Sequence, residues 1–283
     1  MDKTIKRLIA PVVVALAALL YYLFGYNPSG PDAPDSPAAP SEPVPAVVPA
    51  GISDLMEIPS LDGGGRIVQH GAYVSSYNTE TLIPDWVAYE LTAEETGGTL
   101  RRDGIEFRMD PDLKGVTQAM REDYSGSGWT KGHLMPAADA AFDGDSMGET
   151  FYFTNICPQN ETLNAGDWQF LEKKVRLWAN RYGKIWVVTG PIVGENRYGT
   201  IGDRDVVVPD SFYKALLVQK KNGSYSAIAF VMDNDDDRYF LKDCSMTVND
   251  LETLTGLDFF PALDDTIEEK VEGSLRLSDW GVK

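Results

Sequence analysis

The N-terminal segment constrains the organisation of this chain, because it contains an apolar run whose length suits a bilayer crossing. Residues 8–26 are uncharged and mostly apolar, and Lys3, Lys6 and Arg7 precede them. The run is close to the roughly 20 residues that cross a bilayer as a helix, and its basic flank predicts a cytoplasmic start. A cleaved signal peptide normally has a shorter apolar region and a small-residue cleavage site. We therefore expect a membrane anchor at residues 1–27, with a signal peptide as the alternative.

A segment rich in Pro, Ala, Ser and Asp separates this run from the rest of the chain. Residues 28–54 cannot bury a core and are predicted to be a semi-extended linker. The composition is globular beyond that point, so we expect one folded domain over residues 55–283. An anchor followed by a linker predicts an exported protein that faces the periplasm from the bacterial inner membrane, or a secreted one if the first segment is cleaved.

The domain mixes strand-like and helix-like segments without a regular alternation. Partial alternation of β-branched and aromatic residues predicts strands at 67–78, 85–93, 149–155, 183–190, 203–209, 212–219 and 225–232. Apolar spacing and a terminal glycine predict helices at about 163–182 and 247–256. This mixture predicts an α+β fold with a largely antiparallel or mixed sheet and flanking helices.

Charge and histidine content restrict the chemistry that the chain can perform. The net charge of −18 opposes a broad phosphate-binding surface, although a bound divalent cation can dominate the field of a small site. The chain has two histidines, His70 and His133, so a cage of histidines around a metal is excluded. His70 lies in a strand-like segment and is predicted to be structural.

The two cysteines, Cys157 and Cys244, have no spacing that suits a structural zinc site. An exported protein could join them in a disulfide, which is the pairing that we expect. Two buried free thiols, which behave as small apolar residues, are the alternative.

Residues 123–176 contain the groups from which chemistry is expected. A glycine-rich turn leads to His133, and an uncharged strand end at Asn155 is followed by a proline turn and the predicted helix. At about 100° per residue, Asn164 projects in the inward direction of that helix. A polar amide on an inward face needs a partner, which a metal ion or its water would supply. A helix cap at Asn164 is the alternative.

An ordered set of motifs over residues 66–262 resembles the DNA/RNA non-specific endonuclease family of the ββα-metal, or His-Me finger, group. The pattern Asn-x-x-Pro-Gln-x-x-x-x-Asn-x-x-x-Trp-x-x-Leu-Glu is complete at residues 155–172. Where the family signature has Asp-Arg-Gly-His, this chain has Thr130-Lys131-Gly132-His133. Lysine keeps the positive charge of arginine but not its bidentate fork, and threonine lacks the carboxylate.

The resemblance implies a ββα-metal core and Mg²⁺-dependent hydrolysis of DNA and RNA with little sequence specificity, with Mn²⁺ as an alternative metal. His133 would be the general base that takes a proton from the attacking water. Asn164 would be the direct protein ligand of a largely hydrated Mg²⁺.

The resemblance also implies roles for four neighbouring residues. Glu172 would hold the hydration shell of the metal, and Asn155 would orient groups near the site. Lys131 and Arg176 would contact phosphate, and backbone-only contact would explain low sequence specificity. A nuclease-fold protein that binds nucleic acid or a partner without cutting is the alternative function, and a phosphodiesterase for small nucleotides is a weaker one. The sequence does not predict the oligomeric state.

Overall fold

Eleven strands occur in the part of the chain that the computed structural model describes, residues 50–61 and 64–283. They are β1 (Arg66–Gln69), β2 (Val74–Asn78), β3 (Ile83–Thr92), β4 (Thr130–His133), β5 (Ile156–Gln159), β6 (Lys184–Ile192), β7 (Thr200–Ile201), β8 (Val206–Val207), β9 (Ser211–Gln219), β10 (Tyr225–Asp233) and β11 (Ser245–Met246). Seven of them form one sheet in the order β1-β2-β3-β6-β9-β10-β11. The pairs β4-β5 and β7-β8 form two separate ribbons. All of these pairings are antiparallel, which confirms the predicted α+β fold with a largely antiparallel or mixed sheet.

Helices cover both faces of this sheet. They are α1 (Arg121–Tyr124), α2 (Gly144–Glu149), α3 (Glu161–Leu163), α4 (Gln169–Tyr182), α5 (Val248–Thr255), α6 (Asp265–Glu272) and α7 (Leu277–Trp280). A π-helical turn, Asn164–Trp168, joins α3 to α4. Short 3₁₀ turns lie at Ile52–Asp54, Glu95–Gly97, Pro111–Leu113 and Phe153–Asn155.

Strand β3 shows why the sheet needs a helical layer on each side. Val87 and Tyr89 point into one hydrophobic cluster, and Trp86 and Ala88 point into another. Because successive side chains of a strand face opposite sides, both faces of β3 are buried, and burial of this kind is the main source of stability. The first cluster includes the apolar residues of α4, and the second includes those of α5 and α6.

Helix α4 lies on the first face because its apolar residues form one stripe. Leu171, Val175, Trp178 and Ala179 are buried, at spacings of four, three and one residues. The helix ends at Gly183, whose φ of 93° few other residues adopt, and whose N–H donates to the carbonyl of Ala179.

Most of the predicted elements are present, and one predicted strand is wrong. Residues 149–155 form a 3₁₀ turn at Phe153–Asn155 after a single bridge between Tyr152 and Arg108. The aromatic residues of this segment pack inward instead of pairing along a strand, which is why their strand-like composition misleads. Strand β4 was not predicted, since Thr-Lys-Gly-His has no apolar alternation.

The predicted anchor and the linker up to residue 49 lie outside the described residues. Ile52 and Ile58, near the start of the described chain, are buried in the second cluster. None of the helices within residues 50–61 and 64–283 combines the length and the apolar character that a bilayer crossing demands.

Candidate active site

A strand–strand–helix unit holds the residues that the sequence singled out. Strands β4 and β5 pair antiparallel, with Thr130 opposite Gln159 and His133 opposite Ile156. Helix α3, the π-helical turn and α4 follow β5 directly. Gly132 permits this pairing, because a Cβ at that position would lie only 2.6 Å from the Cβ of Gln159. The sequence therefore places a histidine at the end of one strand and an asparagine at the start of the helical segment.

His133 is buried at the end of β4 between two phenylalanines. Its ring centroid lies 5.4 Å from that of Phe107 and 4.9 Å from that of Phe151. Burial, together with the charge of Arg102, lowers the pKa of His133 to about 3, so the imidazole is neutral near pH 7. Its Nε2 atom is buried and has no hydrogen-bond partner in the described chain. A neutral imidazole with an unpartnered nitrogen is chemically able to accept a proton.

Asn155 fixes the backbone that follows β4 through hydrogen bonds of its side chain. The fully buried amide accepts from the N–H of Met135 at 2.8 Å and donates to the carbonyls of Met135 at 2.9 Å and Thr150 at 2.8 Å. The carbonyl of Asn155 also accepts from the N–H of Leu134, the residue after His133. Asn155 thus fixes the backbone beside His133 and is not exposed to solvent.

Asn164 lies in the π-helical turn and contacts β4 through its side chain. Its Nδ2 donates to Thr130 Oγ1 at 3.0 Å, and that hydroxyl donates to the carbonyl of Gln159 at 2.8 Å. Because a hydroxyl has one proton, Thr130 can only accept from Asn164, so the amide must present its nitrogen to Thr130. The Oδ1 of Asn164 is left available, as a metal ligand requires.

The alternative of a helix cap at Asn164 is wrong, because Asn160 is the N-cap of α3. Asn160 Oδ1 accepts from the N–H groups of Thr162 and Leu163. The regular 100° spacing from Asn164 along the helix also fails, since Gly166, at φ −109° and ψ −107°, interrupts it. The π-helical turn therefore resets the angle between Asn164 and the residues of α4.

Glu172 belongs to a cluster of charges with Lys214, Asp139 and Arg176. Burial raises the pKa of the Glu172 carboxyl to about 7, opposed by the charge of Lys214. Lys214 is fully buried, and burial lowers the pKa of its ammonium to about 8. Its Nζ donates to the carbonyl of Leu134 and to Thr189 Oγ1, both at 3.1 Å. The Lys214 side chain therefore connects Glu172 electrostatically to the backbone beside His133.

Arg176 is held by an ion pair within the same cluster. Its guanidinium donates to Asp139 Oδ1 at 2.5 Å, and Tyr89 donates to the other oxygen of Asp139 at 2.9 Å. Asp139 is fully buried, so this pair compensates a charge that would otherwise be costly. Neither Asp139 nor Lys214 was predicted as a site residue, because each lies outside the local motif at residues 155–172.

Two further cations lie near the histidine. Lys131 shares a face of β4 with His133, since alternate residues of a strand point the same way, and its Nζ lies 5.5 Å from the centre of the Phe107 ring. Burial and the charge of Arg121 lower the pKa of Lys131. Arg102 is exposed, and its charge lowers the pKa of both His133 and Glu172. Arg102 therefore lies close enough to influence both groups.

No direct hydrogen bond joins His133, Asn164 and Glu172 in the described chain. The contacts instead run through neighbours, with Thr130 linking β4 to Asn164 and Lys214 linking the segment after β4 to the cluster around Glu172.

His70 belongs to a different group of contacts. His70 Nε2 lies 2.8 Å from Asp110 Oδ2, which also accepts from Thr154 Oγ1 at 2.6 Å. His70, Asp110 and Asp112 have ligand atoms within 4.8 Å of one another, so the group has the composition of a metal site. Asp110 also accepts from the N–H of Asp112, so its carboxylate is satisfied without an ion. These contacts support the structural role predicted for His70.

The predicted disulfide is wrong. Cys157 and Cys244 are both buried free thiols. Cys157 is fully enclosed on β5, where burial raises the pKa of its thiol well above the ordinary value. Cys244 donates to the carbonyl of Leu241 at 3.6 Å. Both thiols pack within the first hydrophobic cluster as free, apolar side chains, and they do not form a disulfide with each other.

Comparison with known proteins identifies the relatives of this chain. Residues 53–266 match the family model of DNA/RNA non-specific endonucleases. Mitochondrial nuclease EXOG of Xenopus laevis is 38% identical over 215 residues, covering 71% of this chain and 60% of that protein. Mitochondrial endonuclease G of Bos taurus is 30% identical over 240 residues, covering 77% of this chain and 80% of that protein. Nuclease C1 of Cunninghamella echinulata var. echinulata is 32% identical over 210 residues, covering 70% and 83%.

A solved structure supports the same relationship. In the crystal structure of the EndoG/EndoGI complex, which concerns the mechanism of EndoG inhibition, the matched chain has a TM-score of 0.69 to this one. The match has 27% sequence identity and covers 78% of this chain and 96% of the other. The chain spans 60% or less of the length of the EXOG relatives.

These relatives correct the predicted location. The EXOG and endonuclease G relatives are named as mitochondrial, and so is nuclease 1 of Schizosaccharomyces pombe. The expectation of export to a bacterial envelope, with the chain anchored in the inner membrane or secreted, is therefore wrong. A membrane partner is likewise not supported by these relatives.

Proposed function

This chain belongs to the DNA/RNA non-specific endonuclease family, and we propose from that premise that it is a metal-dependent endonuclease that cuts DNA and RNA with little sequence specificity. One relationship carries the proposal. The neutral His133 has a buried, unpartnered Nε2, and Thr130 on the same strand turns the amide so that the oxygen of Asn164 is available. A base and a metal ligand are thus offered by one ribbon and its helix.

His133 is the general base in this proposal. Its imidazole takes a proton from the water that attacks phosphorus in line with the leaving oxygen. Burial keeps the imidazole neutral, so it does not have to lose a proton before it acts. The rings of Phe107 and Phe151 fix its orientation, and Asn155 fixes the backbone that follows it.

Asn164 and Glu172 would hold a divalent cation, for which Mg²⁺ is the proposed identity and Mn²⁺ the alternative. An amide oxygen and a carboxylate are oxygen donors of the type that Mg²⁺ prefers. When bound, the cation supplies stabilisation of the negative charge that develops on the phosphate and on the leaving oxygen. Glu172 contributes by accepting hydrogen bonds around the cation, and the charge of Lys214 favours its ionised form.

Lys131 and Arg102 are proposed to hold the substrate phosphates. Lys131 lies on the face of His133, and the charge of Arg102 reaches both His133 and Glu172. Arg176 is committed to Asp139, so we assign it to positioning Glu172 rather than to direct phosphate contact. Contacts to phosphate carry no sequence information, which accounts for the proposed lack of specificity.

A digestion assay on the full-length protein tests this proposal. Plasmid DNA and RNA are incubated with Mg²⁺, with EDTA, and with the His133→Ala and Asn164→Ala variants, and Lys221→Ala serves as a matched surface control. We expect metal-dependent cutting that His133→Ala lowers by about 10²–10⁴-fold and that Lys221→Ala leaves unchanged. Cutting that survives His133→Ala would assign the activity to a contaminant or to another site. A parallel digestion contains Mn²⁺, and absence of cutting with both metals would support the non-catalytic alternative.

A further inference from the structure

A groove with exposed aromatic and basic side chains lies beside the π-helical turn. We name it the Phe240 groove, and the residues that define it are Phe170, Lys173, Lys174, Arg238, Phe240 and Lys242. It encloses about 640 Å³, and Gly166 and Asp167 of the π-helical turn form part of its wall. Asn164 lies in that same turn but does not line the groove, because its side chain contacts Thr130 on β4.

The aromatic residues of the groove are unusually exposed. Phe240 is 72% exposed, the largest value for a large apolar side chain in the described part of the chain, and Phe170 is 47% exposed. Exposed rings of this kind do not contribute to a core, and together they give the groove an apolar surface. Trp178, which is buried, closes the groove from below.

The groove is also a local exception to the charge of the chain, which is −18 overall. Lys173, Lys174 and Lys242 form no ion pair within the described chain, and Lys174 Nζ lies 5.3 Å from the centre of the Phe170 ring. Asp167 is an acidic wall residue, and Arg238 already pairs with it. Three uncompensated cations therefore face the groove, which suits a polyanion.

We propose that the Phe240 groove binds a single-stranded segment of the nucleic-acid substrate, an inference that rests on the proposed nuclease function. The lysines contact successive phosphates, and unpaired bases stack on Phe240 and Phe170. Single-strand sites combine a basic groove with aromatic stacking platforms in this way. A duplex hides the faces of its bases, so the exposed rings give an advantage only to a strand that is unpaired.

The test measures binding in EDTA, so that it does not depend on cleavage. The full-length protein is titrated into a fluorescein-labelled oligothymidylate of about 12 nucleotides and into a duplex of equal length, with anisotropy as the readout. We expect Phe240→Ala to weaken binding of the single strand about fivefold or more and to change binding of the duplex by less than about twofold. A 2-aminopurine base in the strand reports stacking, and its quenching is lost in the variant.

Matched controls separate this inference from the proposed function. Leu254→Ala removes another exposed apolar side chain, 52% exposed and outside the groove, and leaves both affinities unchanged. Lys174→Glu weakens binding and lowers its salt dependence, whereas Lys221→Glu in a distant turn does not. If Phe240→Ala leaves the affinity for the single strand unchanged, the proposed role of the Phe240 groove is overturned, even if His133→Ala abolishes cutting. Binding of anionic phosphatidylglycerol vesicles that depends on Phe240, without binding of the oligonucleotide, also overturns it.

Discussion

Thr130 Oγ1 accepts a hydrogen bond of 3.0 Å from Asn164 Nδ2, and this contact determines which end of the amide is available to a ligand. The Thr130 hydroxyl has given its own proton to the carbonyl of Gln159, so it cannot donate to Asn164. The threonine that stands in place of the family aspartate therefore keeps the capacity to accept a hydrogen bond, although it lacks the charge.

Replacement of Thr130 by valine tests this orientation of the amide. Thr130→Val keeps the shape but removes the acceptor, so Asn164 can rotate and present either end to the metal. We expect the Mg²⁺ concentration for half-maximal cleavage to rise about tenfold or more, measured by initial rates across a metal titration. Thr130→Ser retains the hydroxyl and should behave as the natural chain does. Equal metal requirements in all three proteins would contradict the role of Thr130.

The buried state of His133 leads to a prediction about its protonation. Burial lowers the pKa of His133 to about 3, so the imidazole stays neutral as the pH falls from 8 to 5. In ¹H–¹³C correlation spectra of the full-length protein, the ring signal of His133 should therefore not shift across that range. The His133→Gln variant assigns the signal, because the chain has only two histidines. A titration midpoint near 6.5 would show that the ring is open to solvent.

Asn155 is predicted to support stability as well as activity. Asn155→Ala removes three hydrogen bonds and leaves the buried N–H of Met135 and two carbonyls unpaired. Each unpaired buried group costs about 1–3 kcal/mol, so we expect the free energy of unfolding to fall by about 2–5 kcal/mol. Urea denaturation measures the change. Asn160→Ala, which removes a cap on the surface, is the comparison and should cost about 1 kcal/mol.

Glu272 on α6 is predicted to make stability depend on pH. It is buried, its Oε1 has no hydrogen-bond partner in the described chain, and burial next to Glu252 raises the pKa of its carboxyl to about 9. The folded state thus holds the proton more tightly than the unfolded state. The contribution of Glu272 to the free energy of unfolding is fully present below the ordinary pKa near 4.5. It is lost as the pH rises through about 9.

Substitution of this carboxyl by a neutral group is therefore expected to stabilise the folded protein at alkaline pH. Glu272→Gln should raise the melting temperature at pH 8 and should change it little near pH 4.5, since glutamine resembles the protonated acid. Differential scanning calorimetry at both pH values measures the effect. Glu269→Gln, at an exposed position of the same helix, should give no such difference, and a lower melting temperature of Glu272→Gln at pH 8 would contradict the prediction.

The local parts of the candidate site could be predicted from the sequence, and the distant parts could not. The spacing within residues 155–172 indicated Asn164 and the helix that follows it, because those residues are neighbours along the chain. Lys214 belongs to β9 and meets Leu134 only after the sheet has formed, so no local pattern indicates it. Asp139 is similar, since its partners Arg176 and Tyr89 lie on other elements.

The fold was predicted to the level of its class and most strands, and the failures have physical causes. Phe153 sits in a 3₁₀ turn although its neighbours have strand-like composition, because burial and strand pairing favour the same residue types. Gly166 interrupts a helix whose apolar spacing is regular on the C-terminal side. A single glycine in the sequence does not indicate whether a helix continues through it or is interrupted.

The π-helical turn has a consequence for how Asn164 and Glu172, the two residues proposed to hold the metal, respond to substitutions elsewhere in the chain. Asn164 takes its orientation from β4 through Thr130, whereas Glu172 takes its position from the packing of α4 on the sheet. The irregular backbone at Gly166 separates these two supports. A substitution that shifts α4 within the core is therefore expected to move Glu172. Asn164 is expected to keep its hydrogen bond to Thr130 on β4. Core substitutions beneath α4 are therefore expected to leave the Asn164–Thr130 contact in place.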